Sequence, residues 1–183
     1  GQTVGFVPTM GALHAGHASL IQKAKDECDV VVVSVFVNPT QFNEKSDLEN
    51  YPRTFVQDKK LLDELQIDVM FYPSNSEIYP NGTSVSYEMD GLDEVMEGMY
   101  RPGHFNGVVQ VVTRLFELVK PTKAYFGEKD FQQLAIIRYM VKKLNLNVAI
   151  VGCPTLRETD GLAMSSRNVR LTSAGRKRAP IIY

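Results

Sequence analysis

"DVVVVSVFVNPTQF" (residues 29–42) decides the fold. From Asp29 to Val37 it carries six valines and a phenylalanine, with no polar alternation. A strand that faces solvent on one side alternates; a strand covered on both sides does not need to. The run therefore predicts a central strand of a parallel sheet with helices on both faces. Asn38-Pro39 ends it, a pair that opens loops, and a polar loop follows to about Pro52.

The flanking segments agree. Upstream, Val4–Val7 reads as a short strand. In the helix predicted for Gly16 to Glu27, Leu20, Ile21 and Ala24 line one side and Gln22, Lys23 and Asp26 the other. Downstream come a helix over Thr54–Leu65, a strand over 67–73, and "TSVSYEM" (83–89), whose alternation predicts an edge strand. "RPGHFNG" (101–107) is a loop that opens a helix. In it Phe105, Val108, Val109, Val112, Leu115, Phe116 and Val119 form one stripe, and the period outweighs the β-branched composition. A strand at 123–127, a helix over Asp130–Leu144, a strand at 147–153 and a helix starting near Thr172 complete the series. Phe6, Tyr72 and Phe116 read as core. Strands alternating with helices imply right-handed βαβ units, with ligands at the carboxyl ends of the strands.

The 183 residues suffice for one domain, or a domain with a small appendage. With 20 Lys+Arg against 21 Asp+Glu there is no basic excess of the kind a general nucleic-acid binder shows. No apolar run reaches membrane-spanning length, and the N-terminus lacks the order of a signal peptide. Cys28 and Cys153 form no CxxC motif and read as buried free thiols of a cytoplasmic protein. Both ends read as cut from a longer chain.

Five stretches carry candidate chemistry. In "VPTMGALHAGH" (7–17), Gly11 and Gly16 allow close backbone approach, and His14 and His17 share one side of an opening helix. Free N–H groups there favour an anion, so phosphate binding is expected; metal ligation or plain turn capping stay open. Asn38, Thr40 and Gln41 hang at the end of the central strand, suited to hydroxyls and a carboxylate or to simple turn chemistry. "YFGEKDFQQ" (125–133) offers Lys129 for a phosphate. Its Asp130 suits ribose hydroxyls or a helix cap, and Gln132 or Gln133 a ligand or solvent. "ETDGLAMSSRN" (158–168) brings Arg167 with two serines, a pyrophosphate clamp or a solvated turn. Arg101 and His104 either bind an anion or leave Asn106 and Gly107 to shape a helix entry.

"HAGH" followed at long range by "MSSRN" resembles the paired signatures of the nucleotidyltransferase superfamily. "VPTMGALHAGH", "VFVNPTQF", "RPGHFNGV", "YFGEKDFQQ" and "DGLAMSSRN", in that order, resemble the pantothenate synthetase family over nearly the whole chain. The resemblance implies a Rossmann-like, doubly wound α/β domain over 1–171. Residues 172–183 would then begin a C-terminal domain, or a linking helix to one, that folds over the site. It implies joining of pantoate and β-alanine with ATP and Mg²⁺ through pantoyl adenylate, in a cytoplasmic homodimer with no nucleic-acid or membrane partner. Met10, Gly11, Ala12, Leu13, His14, Ala15, Gly16 and His17 would line the ATP site, with His17 a proton donor and His14 beside it on the phosphates. Gly127, Glu128, Lys129 and Asp130 would meet the nucleotide, Lys129 on phosphate, together with Leu156. Met164, Ser165, Ser166 and Arg167 would close over the phosphates, and Gln41 and Gln133 would hold pantoate. The resemblance assigns no Mg²⁺ ligands. Another adenylyltransferase, or a domain that binds nucleotide without turnover, stays open on the residues alone.

Overall fold

The valine run pairs on both of its edges. β2 (Val30–Val35) lies parallel to β1 (Val4–Thr9) from Val4 opposite Val30 to Thr9 opposite Val35, and parallel to β3 (Val69–Phe71) on its other side. In this computed structural model, which describes every residue except Ser84, β4 (Lys123–Gly127) and β5 (Ala149–Cys153) complete a five-stranded parallel sheet. The strand order is β3-β2-β1-β4-β5. β1 and β4, adjacent in the sheet, are far apart in sequence, so the order reverses between them. That reversal is where ligands enter open α/β sheets.

The two faces divide by side-chain parity. Val7, Val31, Val33, Val35 and Tyr125 pack with Ile21 and Ala24 of α1 (Ala15–Glu27) and with Leu62. Leu62 lies on the helix Phe55–Glu64, which follows the short α2 (Lys45–Glu49) and is therefore α3. Phe6, Val32, Ala124 and Phe126 face the other way. They pack on the later helices His104–Val119 and Phe131–Lys143, which donate Phe105, Val109, Leu115, Ile136 and Ile137. After two more short helices, α4 (Asn75–Ile78) and α5 (Met96–Tyr100), these long ones are α6 and α7. Helices thus cover both faces, the doubly wound α/β arrangement expected from β2, and α8 (Ser173–Arg178) closes the series.

One irregularity opens the sheet. β1 bonds β4 only at Gly5–Lys123 and Phe6–Ala124, whereas β4 bonds β5 through Gly127–Cys153. Beyond Phe6 the centre of the sheet parts. Pro8 sits there and has no N–H to offer a ladder. A crevice opens at the carboxyl ends of β1 and β4.

Several expectations need correction. Residues 85–89 form no strand, and Ser84 lies outside the described residues. The alternation is real, but α6 side chains take the backbone groups a neighbouring strand would have taken. Asn106 Oδ1 accepts from Tyr87 N at 2.9 Å, and Gln110 Nε2 donates to Thr83 O at 2.9 Å. Tyr72 is not core: it is 57% exposed beyond the end of the edge strand β3, against Phe55. Phe6 and Phe116 are buried as expected. Cys153 is buried, but Cys28 is only half-buried; both are free thiols. The polar loop before Pro52 contains α2 and a 3-10 turn at Pro39–Gln41.

Candidate active site

The turn between β1 and α1 is held from behind. Gly11 (φ 80°) and Ala12 (φ 49°) are both left-handed, so successive backbone N–H groups point the same way. They point at Asp58 on α3. Its Oδ2 accepts from Ala12 N at 3.0 Å and its Oδ1 from Leu13 N at 2.8 Å, while Thr54 Oγ1 donates to both oxygens at 3.2 Å. Gly11 is required on two counts, since a Cβ there would lie 2.9 Å from Asp58 Oδ2 on a backbone disfavoured for L-residues. The glycine turn therefore spends its donors on an internal carboxylate.

The start of α1 is closed by imidazoles. His14 Nδ1 accepts from Gly16 N at 3.1 Å, and His17 Nδ1 accepts from His14 N at 3.3 Å. These bonds fix both tautomers, because an accepting Nδ1 puts the proton on Nε2. The two rings are 4.2 Å apart. Burial, His14 and Lys129 push the His17 pKa down to about 3; burial and then Lys129 lower His14 as well. Both rings are neutral at pH 7 and present Nε2–H donors. The helix-end N–H groups expected to meet an anion are thus partly occupied, and the imidazoles are their substitute. Gly16 makes room for this cap: a Cβ would sit 2.8 Å from His14 Cε1.

Across the parted strands, the β4–α7 junction supplies Lys129 and Asp130, which pair at 3.2 Å. Asp130 makes no capping bond to α7, so its carboxylate stays with Lys129 at the crevice. Two adjoining cavities, of about 190 and 140 Å³, share Pro8, His14, His17, Phe126, Lys129, Asp130 and Gln133 as wall. The larger adds Met10, Asn38, Gln41, Tyr51, Ser165, Ser166 and Arg167. The smaller adds Gly16, Gly127, Leu156 and Met164.

The larger lobe is lined by amides on a rigid mount. Asn38, 1% exposed, donates to Gln41 Oε1 at 3.2 Å and to Gly107 O at 3.0 Å, and accepts from Tyr79 OH at 2.8 Å. With its oxygen engaged by Asn38, Gln41 turns its NH₂ toward Met10 Sδ, 3.0 Å away on the cavity wall. His104 Nδ1 lies 2.6 Å from Gln41 O, and Arg101 donates to the same carbonyl at 3.5 Å. His104 and Arg101 therefore hold Gln41 in place. Arg167 donates to Asp47 at 2.9 Å and lies over the Tyr51 ring at 5.4 Å. Arg170 joins the same carboxylate at 2.9 Å, tying α2 to the serine-rich loop across the mouth.

A sequence model of the pantoate–β-alanine ligase family ("Pantoate-beta-alanine ligase") matches residues 1–183. The chain belongs to the pantoate–β-alanine ligase family. It is 61% identical over 180 residues to the pantothenate synthetase of Phocaeicola vulgatus, covering 98% of this chain and 64% of that one. The Porphyromonas gingivalis pantothenate synthetase is 59% identical over 182 residues, covering 100% and 65%. The chain thus spans somewhat less than two thirds of these curated relatives. Among solved structures, pantothenate synthetase from Thermus thermophilus superposes with a TM-score of 0.95 at 52% identity, over 99% of this chain and 66% of that one. The Francisella tularensis pantoate–β-alanine ligase, described as complexed with β,γ-ATP and β-alanine, also gives 0.95, at 50% identity over 100% and 70%.

Within this family fold, most of the residues singled out in the sequence converge. Met10, His14, Gly16, His17, Gln41, Gly127, Lys129, Asp130, Gln133, Leu156, Met164, Ser165, Ser166 and Arg167 all line one of the two lobes. Gly11, Ala12, Leu13, Ala15 and Glu128 line neither. Gln132 separates from Gln133: it is buried, accepts from Glu97 N at 3.0 Å and Gly98 N at 3.3 Å, and donates to Leu92 O and Val95 O. Among the described residues no three His, Cys, Asp or Glu side chains gather as metal ligands. Sequence reasoning missed Asp47, Tyr51, Thr54 and Asp58. Their only local signal is an acid in the first turn of α2 and of α3, which resembles ordinary capping.

Proposed function

We propose that the chain carries the site for ATP-dependent joining of pantoate and β-alanine. One observation carries this reading: His14, His17, Lys129, Gln41 and Gln133 line one crevice, where the centre of the sheet parts. The triphosphate is met by Lys129, the two Nε2–H donors and Arg167, and the smaller lobe with Leu156 and Met164 takes the base. Gln41 and Gln133 hold pantoate. Its carboxylate oxygen attacks the α-phosphorus, the bond from that phosphorus to the bridging oxygen breaks, and pyrophosphate leaves. The β-alanine amine then attacks the acyl carbon, forms the amide, loses a proton, and releases AMP.

The chemistry asks little of a base, because a carboxylate is already ionised at pH 7. It asks for charge neutralisation and alignment. Cations and preorganised N–H donors supply the first. Holding two reactants in line is worth on the order of 7–11 kcal/mol. Neutral His17 presents its Nε2–H to a phosphate oxygen, the place from which the donor role implied by the resemblance would act. Mg²⁺ bound with ATP would add positive charge against the phosphates. It commonly uses one or two carboxylates plus phosphate oxygens, and Asp130 offers a carboxylate for that.

On the same basis residues 1–171 form the nucleotide- and pantoate-binding unit, and 172–183 begin the next domain or its linking helix. The protein acts as a homodimer in the cytoplasm, a setting in keeping with its two free thiols. Among the described residues no helix is long and apolar enough to cross a membrane. The test is to supply ATP, Mg²⁺ and β-alanine with pantoate or with other hydroxy acids, and follow AMP and amide product. Product only with pantoate is expected. Equal product from unrelated acceptors, or adenylyl transfer to a different substrate class, would point to another nucleotidyltransferase.

A further inference from the structure

We propose that Asp58 is a positioning residue for this reaction, acting through the Gly11–Leu13 turn on His14 and His17. The inference rests on the activity proposed above, but its geometry is independent of it. Asp58 is 2% exposed and reaches neither lobe of the crevice. It forms no ion pair among the described residues; its oxygens are met by two backbone N–H groups and one hydroxyl. A carboxylate buried without a cation is costly unless every lone pair is used well. Here the charge sits against the converging N–H groups of Ala12 and Leu13 at the left-handed Gly11–Ala12 turn. Those N–H groups face α3 rather than the crevice.

The consequence is mechanical. Leu13, bonded to Asp58, immediately precedes His14, and His14 begins α1. His14 N in turn fixes His17 Nδ1. One carboxylate therefore sets the height and tilt of both imidazoles through two hydrogen bonds joined by the Leu13–His14 peptide. An amide in its place can accept from one of the two N–H groups and must set its own NH₂ against the other. The turn relaxes, and the Nε2–H donors leave the line of the phosphates. Misplacement of about 1 Å can cost on the order of 100-fold in rate.

The test compares Asp58→Asn and Thr54→Val with the unaltered chain. Pantoate-dependent exchange of labelled pyrophosphate into ATP gives the rate, and its ATP dependence gives half-saturation. Melting gives the folded fraction, and ¹⁵N–¹H spectra of the histidine rings without nucleotide give the tautomers. A folded Asp58→Asn protein should exchange about 100-fold more slowly, with ATP half-saturation little changed and His14 and His17 no longer fixed as Nε2–H. Thr54→Val should shift rate and spectra less, in the same direction, and decides the matter if Asp58→Asn fails to fold. A folded variant with the normal rate and unaltered ring spectra overturns the proposal. So does a rate that falls only with the folded fraction. If the unaltered chain shows no exchange, the activity reading fails instead, and the ring spectra alone decide whether Asp58 positions the imidazoles.

Discussion

At the scale of single residues, the proposed chemistry rests on two kinds of donor. Lys129 is exposed at the crevice and, among the described residues, paired only with Asp130, so replacing it removes charge without opening a core. Lys129→Ala should slow adenylate formation by about 100-fold or more with an unchanged circular dichroism spectrum; a near-normal rate would remove Lys129 from the phosphates. His17 makes a different prediction. Its pKa of about 3 lies below the ordinary 6.5, so between those values the unfolded chain binds the proton that the folded site refuses. The neutral ring's contribution to stability is complete above about pH 6.5 and drains away as pH falls toward 3. His17→Gln cannot titrate. The stability difference between unaltered protein and variant, followed by urea unfolding, should therefore shrink steadily from pH 7 to pH 4. A difference constant over that range would mean the ring is not held neutral.

At the scale of elements, α7 shows how neighbours on a helix diverge. Gln132 and Gln133 point about 100° apart, one to the 92–98 segment and one to the crevice. Gln132→Ala should cost on the order of 1–3 kcal/mol of stability, since buried backbone groups lose their partner. Gln133→Ala should leave stability alone and raise the pantoate concentration needed for half-maximal exchange, with ATP dependence little changed. Melting and exchange assays on the pair check both statements, and exchanged phenotypes would mean the two roles are misassigned. Gly11→Ala should destabilise by about 1–2 kcal/mol, read from urea unfolding, because its φ of 80° is left-handed. These roles were only half legible in the sequence. The spacing of "FQQ" after a strand–turn signal left either glutamine to meet ligand or solvent, and only the family resemblance singled out Gln133, because which one faces the crevice depends on the helix phase against the sheet. Asp58 was not legible at all, because its partners Ala12 and Leu13 lie 46 and 45 residues away. The alternation at 83–89 misled for a related reason. Period 2 signals an extended, half-covered chain, and side chains of α6 can cover one as well as a strand can.

At the scale of the whole molecule, the fold was written mainly in the valine run around β2. Valines without alternation require cover on both faces, and the structure supplies α1 and α3 on one side and α6 and α7 on the other. The order reversal between β1 and β4 then follows from right-handed crossovers running outward in both directions. What no local pattern shows is that these two strands stop bonding after Phe6. That parting brings motifs from opposite ends of the chain onto one wall. The central claim is that this wall performs adenylate formation on pantoate. The most direct measurement is exchange of labelled pyrophosphate into ATP with Mg²⁺, with and without pantoate, and with no β-alanine present. The proposed mechanism predicts exchange that requires pantoate and is lost in Lys129→Ala. Exchange independent of pantoate, or ATP binding without any exchange, would contradict it.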